Sequence, residues 1–272
     1  MLRKLMKYEL KATGRIMLPL FLVMFAATLA LSTNIRLTSN MDSRGNFILS
    51  TILIVLFVLS ILAVSILSVL LIMNRFYKNL LGDEGYLMFS LPVSTAQNIF
   101  SKGLTALIWI ICAILTGFVC GLAMVAIVGD FSDFMPQVKD VWNIYVSYFG
   151  KNKAVLYLIL FILTIILSML EAVFKVYAAI SVGHQWGNHR VVGSVLAYIA
   201  FSVIETVISL LLNLPEHTVT VTGERARQAA SVQMNLPFDL PEFTSMLIIA
   251  LIGLAVYGLI SWLLLDRRLN LE

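Results

Sequence analysis

Six stretches of the chain are almost purely apolar, at about 16–33, 47–73, 104–128, 154–183, 191–213 and 246–265, and the polar residues gather between them. Each run is long enough to cross roughly 30 Å of hydrocarbon as a helix. Backbone polar groups in lipid must be satisfied internally, so only helices and closed barrels span a bilayer. Uninterrupted runs predict helices, since a barrel strand alternates apolar and polar positions over about ten residues. The pattern predicts an all-α polytopic membrane protein with six transmembrane helices, forming one domain over 1–272.

The gaps carry their own patterns. In residues 1–15, Leu2, Leu5, Met6 and Leu10 fall on one helical stripe, with Arg3, Lys4, Lys7 and Lys11 elsewhere. That arrangement predicts an N-terminal interfacial helix lying in the headgroup layer before the chain turns into the membrane. A basic start before an apolar core is also how a signal peptide begins. Pro19 interrupts that core early, so a retained first span is expected.

Between spans two and three, over 75–102, lies the sequence GDEGYLMFSLPVSTAQ. Gly82 and Gly85 bracket Asp83 and Glu84, which predicts a bend. Pro92 turns Leu91 away from helical geometry. Ser94 and Gln97 have capping-box spacing, a hydroxyl at N-cap and an amide three residues on. The stretch reads as a short helix, a forced break and a new capped helix that becomes span three, in all a shaped elbow. Further on, 129–153 places Trp142, Tyr145, Tyr148 and Phe149 at near-helical spacing, as in an aromatic segment along an interface. The tight link HQWGNHR, 184–190, makes spans four and five a hairpin, and 214–243 is punctuated by Pro215, Pro237 and Pro241.

Composition excludes a soluble domain: 60% of residues are hydrophobic and 12% charged, with mean hydropathy +0.95. Charge sets the orientation. With a cytoplasmic N-terminus the inner segments carry eleven Lys/Arg and the outer loops seven, Lys175 lying within a span. Both termini and the elbow are therefore expected on the cytoplasmic side, with 129–153 and 214–243 as extracellular loops. The net charge of +4 needs no nucleic acid, because basic residues beside spans meet anionic headgroups, and membrane lipids are the expected partner.

Catalytic signatures are absent. There is no Walker A loop and no H-E-x-x-H. His184 and His189 are five apart in a short link and read as interfacial side chains. Cys112 and Cys120 are about 12 Å apart along span three, too far for a mutual disulfide. No enzyme activity, cofactor or metal is expected on this chain. Charge inside the membrane is the remaining chemistry. Glu171 and Lys175 are i,i+4 on span four, and Glu205 on span five lies at a similar depth. Such groups pair with one another or face a cavity, and two readings stay open: a packing cluster, or the lining of a substrate path.

The residues DEGYLMFSLPVSTAQNIFSK, 83–102, resemble the cytoplasmic signature of ABC-2 type permeases, the membrane subunits of type V ABC exporters. The matching positions are Glu84, Gly85, Leu91, Pro92, Val93, Ser94 and Lys102; Tyr86 stands where a small residue or Thr is common. The similarity extends to the basic N-terminus, to AISVGHQWGNHRVVGSVLAY at 179–198 and to the LDRRLNLE ending, and is greatest to stand-alone permeases of Gram-positive bacteria. The resemblance implies a bacterial cytoplasmic membrane permease that works with separately encoded ABC ATPase subunits and a second permease subunit, identical or homologous. ATP and Mg would then bind the ATPase. Gly82, Asp83, Glu84, Gly85, Tyr86, Leu91, Pro92, Val93 and Ser94 would form the ATPase-coupling helix, with Arg75 and Lys78 as headgroup anchors. The implied cargo of the exporter is hydrophobic or amphipathic: an antimicrobial peptide, a drug or a lipid. The alternative is a self-contained ion-coupled secondary transporter using Glu171, Lys175 and Glu205.

Overall fold

The structure is a computed structural model that describes residues 2–38, 44–82, 85, 93–129, 131–150, 153–186, 189–211 and 240–267. Every regular element among them is helical: α1 (Leu2–Thr38), α2 (Arg44–Phe76), a π-helical turn (Tyr77–Leu81), α3 (Thr95–Val128), α4 (Phe131–Phe149), α5 (Ala154–Gly183), α6 (Arg190–Leu211) and α7 (Leu240–Arg267). Six of them, all but α4 and the π turn, are long and apolar enough to cross a membrane. The protein is a multi-pass helical membrane protein by length and composition.

The spans fall into two three-helix halves. In the first, α1 packs against both α2 and α3; in the second, α5 packs against both α6 and α7. The halves meet mainly where α3 touches α5 and α7. Core clusters follow this division. Met17, Phe21, Met24, Val64, Trp109 and Cys120 fill the first half. Phe76, Leu80, Ile99, Phe174, Tyr177 and Tyr257 fill the seam between the halves. Outward faces are apolar, with Ile52, Leu59 and Ile66 on α2, Phe118 on α3, Ile159 on α5 and Val203 on α6 exposed, as spans facing lipid require.

Lipid offers no hydrophobic drive for helix pairing, so close backbone approach must supply the contact. At the α5–α6 hairpin, a β-carbon on Gly183 would collide with the backbone of Ser194, and Gly193 faces Gly183 directly. These glycines let the two helices touch.

Two expectations change. The turn expected near residue 15 is absent: α1 is one helix of 37 residues, roughly 55 Å at about 1.5 Å per residue. Nothing in 1–15 breaks it, because Glu9, Thr13 and Met17 continue the buried stripe of Phe21, Met24, Thr28 and Ser32 at helical spacing. Span two also outruns its apolar stretch, since α2 passes into the π turn and ends only at Gly82, whose backbone is extended. The segment 129–153, whose aromatic side chains were read at near-helical spacing, follows that reading. It contains the helix α4, with Trp142 stacked on Tyr145, Tyr145 against Phe149 and Phe149 against Tyr157 of α5. Gly150, at φ 78, ends α4 in the left-handed conformation that favours glycine, and its N–H donates to the Val146 carbonyl at 2.9 Å.

Candidate functional site

The elbow is anchored at both of its described ends. On the entering side the Gly82 N–H donates to the Tyr77 carbonyl at 2.9 Å, and the Gly85 N–H to the Gly82 carbonyl at 2.8 Å. Gly85 is buried. On the leaving side Ser94 is the N-cap of α3, its hydroxyl accepting from the Gln97 N–H at 3.3 Å, as the capping-box spacing predicted. Val93 precedes it, half-buried. Asp83, Glu84, Tyr86, Leu91 and Pro92 lie outside the described residues.

What ties these ends together is an acid that the sequence reading passed over. Glu9 of α1 accepts from Lys102 of α3, forming a buried ion pair, and from Asn79 Nδ2 of the π turn at 3.3 Å. One turn along α1, the Thr13 hydroxyl donates to the Glu9 carbonyl at 2.8 Å and accepts from Trp109 Nε1 of α3 at 2.6 Å. Beside them is a cavity of about 20 Å³, large enough for about one water, lined in part by Arg75, Thr105 and Tyr177. Tyr177 of α5 stacks on Phe76, with ring centroids 4.0 Å apart and planes at 9°. At the other side of the elbow's exit, the Thr95 hydroxyl donates to Asp266 of α7 at 3.0 Å. One carboxylate therefore joins the first span, the helix entering the elbow and the helix leaving it. Lys102, read as the residue opening span three, is buried in this knot. The missed signal was the phase of Glu9, which shares a stripe with Thr13 and Met17.

The second polar group lies deeper in the spans. Lys175 of α5 pairs with Glu205 Oε2 of α6, and the Tyr257 hydroxyl of α7 donates to Glu205 Oε1. The Lys175 ammonium also lies over the Tyr198 ring, 5.0 Å from its centroid. This corrects the i,i+4 pairing of Glu171 with Lys175: the lysine reaches across to α6 instead. Glu171 lies against Gly253 of α7, where a β-carbon would overlap its Oε1. So Glu171, Lys175 and Glu205 do come together, with Tyr198, Gly253 and Tyr257 as members that spacing along one helix could not reveal.

The link between spans four and five begins with His184, at the end of α5. Among the described residues the buried His184 Nδ1 has no hydrogen-bond partner, and the Tyr77 ring stands edge-on to the imidazole at 6.2 Å. Burial, and then the positive charge of Arg190, hold its pKa below the usual imidazole range.

Comparison of the chain with models of known protein families, with curated proteins and with solved structures finds no match.

Proposed function

We propose that this chain is the membrane-spanning permease subunit of an ATP-driven exporter of the ABC-2 type. It lies in a bacterial cytoplasmic membrane with both termini and the elbow on the cytoplasmic side. A separately encoded ABC ATPase engages the elbow, and a second permease subunit completes the translocation path for a hydrophobic or amphipathic cargo. ATP and Mg belong to the ATPase.

The observation that carries this reading is the Glu9 knot. A partner pushing on a flexible loop would move only the loop. Here Gly82 and Ser94 delimit the elbow, and Glu9 bonds to both Asn79 before it and Lys102 after it. Force on residues 83–93 would pass directly into α1, α2 and α3. The motif from Glu84 to Ser94 supplies the family resemblance, and the knot supplies the mechanics.

Purification in mild detergent from the native host should recover a P-loop ATPase in about equal amount to this chain. Glu84→Trp with Gly85→Trp should leave the spans folded while ATP hydrolysis no longer drives transport. Transport that survives this double change, or flux by the chain alone in vesicles lacking any ATPase, overturns the proposal.

A further inference from the structure

The apolar face of α4 runs past the edge of the protein. Met135, Val138, Val141, Trp142, Tyr145 and Phe149 share one side of this helix, and Lys139, Asp140, Asn143 and Ser147 share the other. At the C-terminal turn the apolar side rests on the start of α5. There the Tyr145 hydroxyl donates to the Ala154 carbonyl at 3.0 Å, and the Phe149 ring lies 4.5 Å from the Tyr157 ring. Phe149 is buried and Tyr145 half-buried. Further back along the same side the cover ends: Met135, Val138, Val141 and Trp142 are all exposed, Val141 at 69%.

The neighbouring surface says what meets this face. α4 starts two residues after the end of α3 and stops four residues before the start of α5, so both its ends are held where spans end. Around the first turns of α5, Val155, Leu156 and Ile159 are exposed, as side chains facing lipid are. The apolar surface therefore passes from α5 onto α4 without a polar break at Tyr145 and Phe149. Trp and Tyr rings favour the boundary between headgroups and acyl chains, and Trp142 stacks on Tyr145 there. Lys139 and Asp140 cancel in charge on the far side, so apolar burial rather than attraction to anionic headgroups would hold the helix.

We infer that α4 is an interfacial arm whose face of Met135, Val138, Val141 and Trp142 docks into lipid, in the leaflet reached by the end of α3 far from Ser94. Its last turn is bonded to α5, so a shift of the arm within the leaflet bears directly on the start of that span. The inference goes beyond the exporter reading. It needs neither the elbow nor an ATPase, and fails or succeeds independently of both.

The test uses the full chain in phosphatidylcholine nanodiscs, with Cys112→Ala and Cys120→Ala and single nitroxide-labelled cysteines placed along 135–144. Collision with oxygen, which concentrates in lipid, is compared with collision with a water-soluble nickel chelate. The oxygen-to-nickel ratio should rise and fall with a period of about 3.6 residues. It should be highest for Val138→Cys and Trp142→Cys and lowest for Asp140→Cys and Asn143→Cys. A ratio that stays low throughout puts the arm in water and overturns the inference. Labels on the apolar face shielded from both reagents mean that protein covers it, a second copy included, and overturn it equally. The unsubstituted chain gives a second measurement, with a phosphatidylcholine bearing a diazirine on a shallow acyl carbon. Adducts are expected on Met135, Val138 or Val141 and not on Asn143. Adducts on Val155 and Ile159 with none on α4 would overturn the inference without any cysteine variant.

Discussion

Among the described residues the two halves each hold one ion pair across helices, and the pairs are built differently. Glu9–Lys102 is closed: the side chains are 9% and 3% exposed, and Asn79 adds a third bond. Lys175–Glu205 is open: Lys175 is 11% exposed but Glu205 is 38% exposed, and a second acid stands beside it. A sealed pair fixes geometry, since separating its partners strands a charge away from water. An open pair strands less when one partner is removed, because its acid keeps a second bond. The first half thus holds a sealed pair and the second a pair left open on its acidic side.

Four experiments would break or sharpen this contrast. The largest effect is expected from Lys102→Met, which leaves Glu9 buried and unpaired and should destabilise the protein by about 3–5 kcal/mol in detergent unfolding. Adding Glu9→Leu should restore most of the loss. Lys175→Met should cost only about 1–3 kcal/mol, because Glu205 keeps Tyr257 and contact with its surroundings. Equal losses from both lysine changes would erase the distinction between the halves.

Next is the seam. Gly103 of α3 abuts Phe174 of α5, whose ring lies 2.6 Å from the position a β-carbon would take. Gly103→Ala should wedge the halves apart at a cost of about 1–3 kcal/mol, and thermal unfolding followed by tryptophan fluorescence would show it. A neutral result would mean that the halves are already loosely joined.

A smaller difference is expected at the helix starts. Ser94→Ala removes the cap of α3 and should cost about 1 kcal/mol. Lys153, which begins α5 without a side-chain cap, should tolerate alanine within about 0.5 kcal/mol. Denaturant midpoints of the two variants, measured side by side, would decide whether the elbow's exit is specially reinforced.

The smallest effect concerns acid. His184 has a lower pKa folded than the roughly 6.5 of a free imidazole, so on acidification the unfolded chain binds the proton first. Its contribution is complete above about pH 6.5 and lost progressively below. The unfolding temperature should drop between about pH 7.5 and pH 5.5, and His184→Gln should flatten that drop. An identical drop in the variant would place the acid sensitivity elsewhere.

The six spans were legible because membrane burial depends on local composition, which a single run reveals. Break and cap at the elbow were legible for the same reason: Gly82 and Ser94 act on their own backbone. Glu9 and Lys102 are 93 residues apart, and their pairing is a property of how α1 meets α3. Lys175 shows the other limit. Its i,i+4 neighbour was visible along the helix, yet Glu205 on the next span wins it, since packing offered an acid already oriented by Tyr257. The continuity of α1 was missed because basic residues drew attention to its exposed face while the buried stripe ran on beneath them.

The wide turn at Tyr77–Leu81 carries one residue more per hydrogen-bonded ring than the helix before it. Each residue of an α-helix advances the chain by about 100°, so tightening that turn by one residue would swing everything beyond it through a comparable angle. Deleting a single position there would re-aim the chain far more than many substitutions along it.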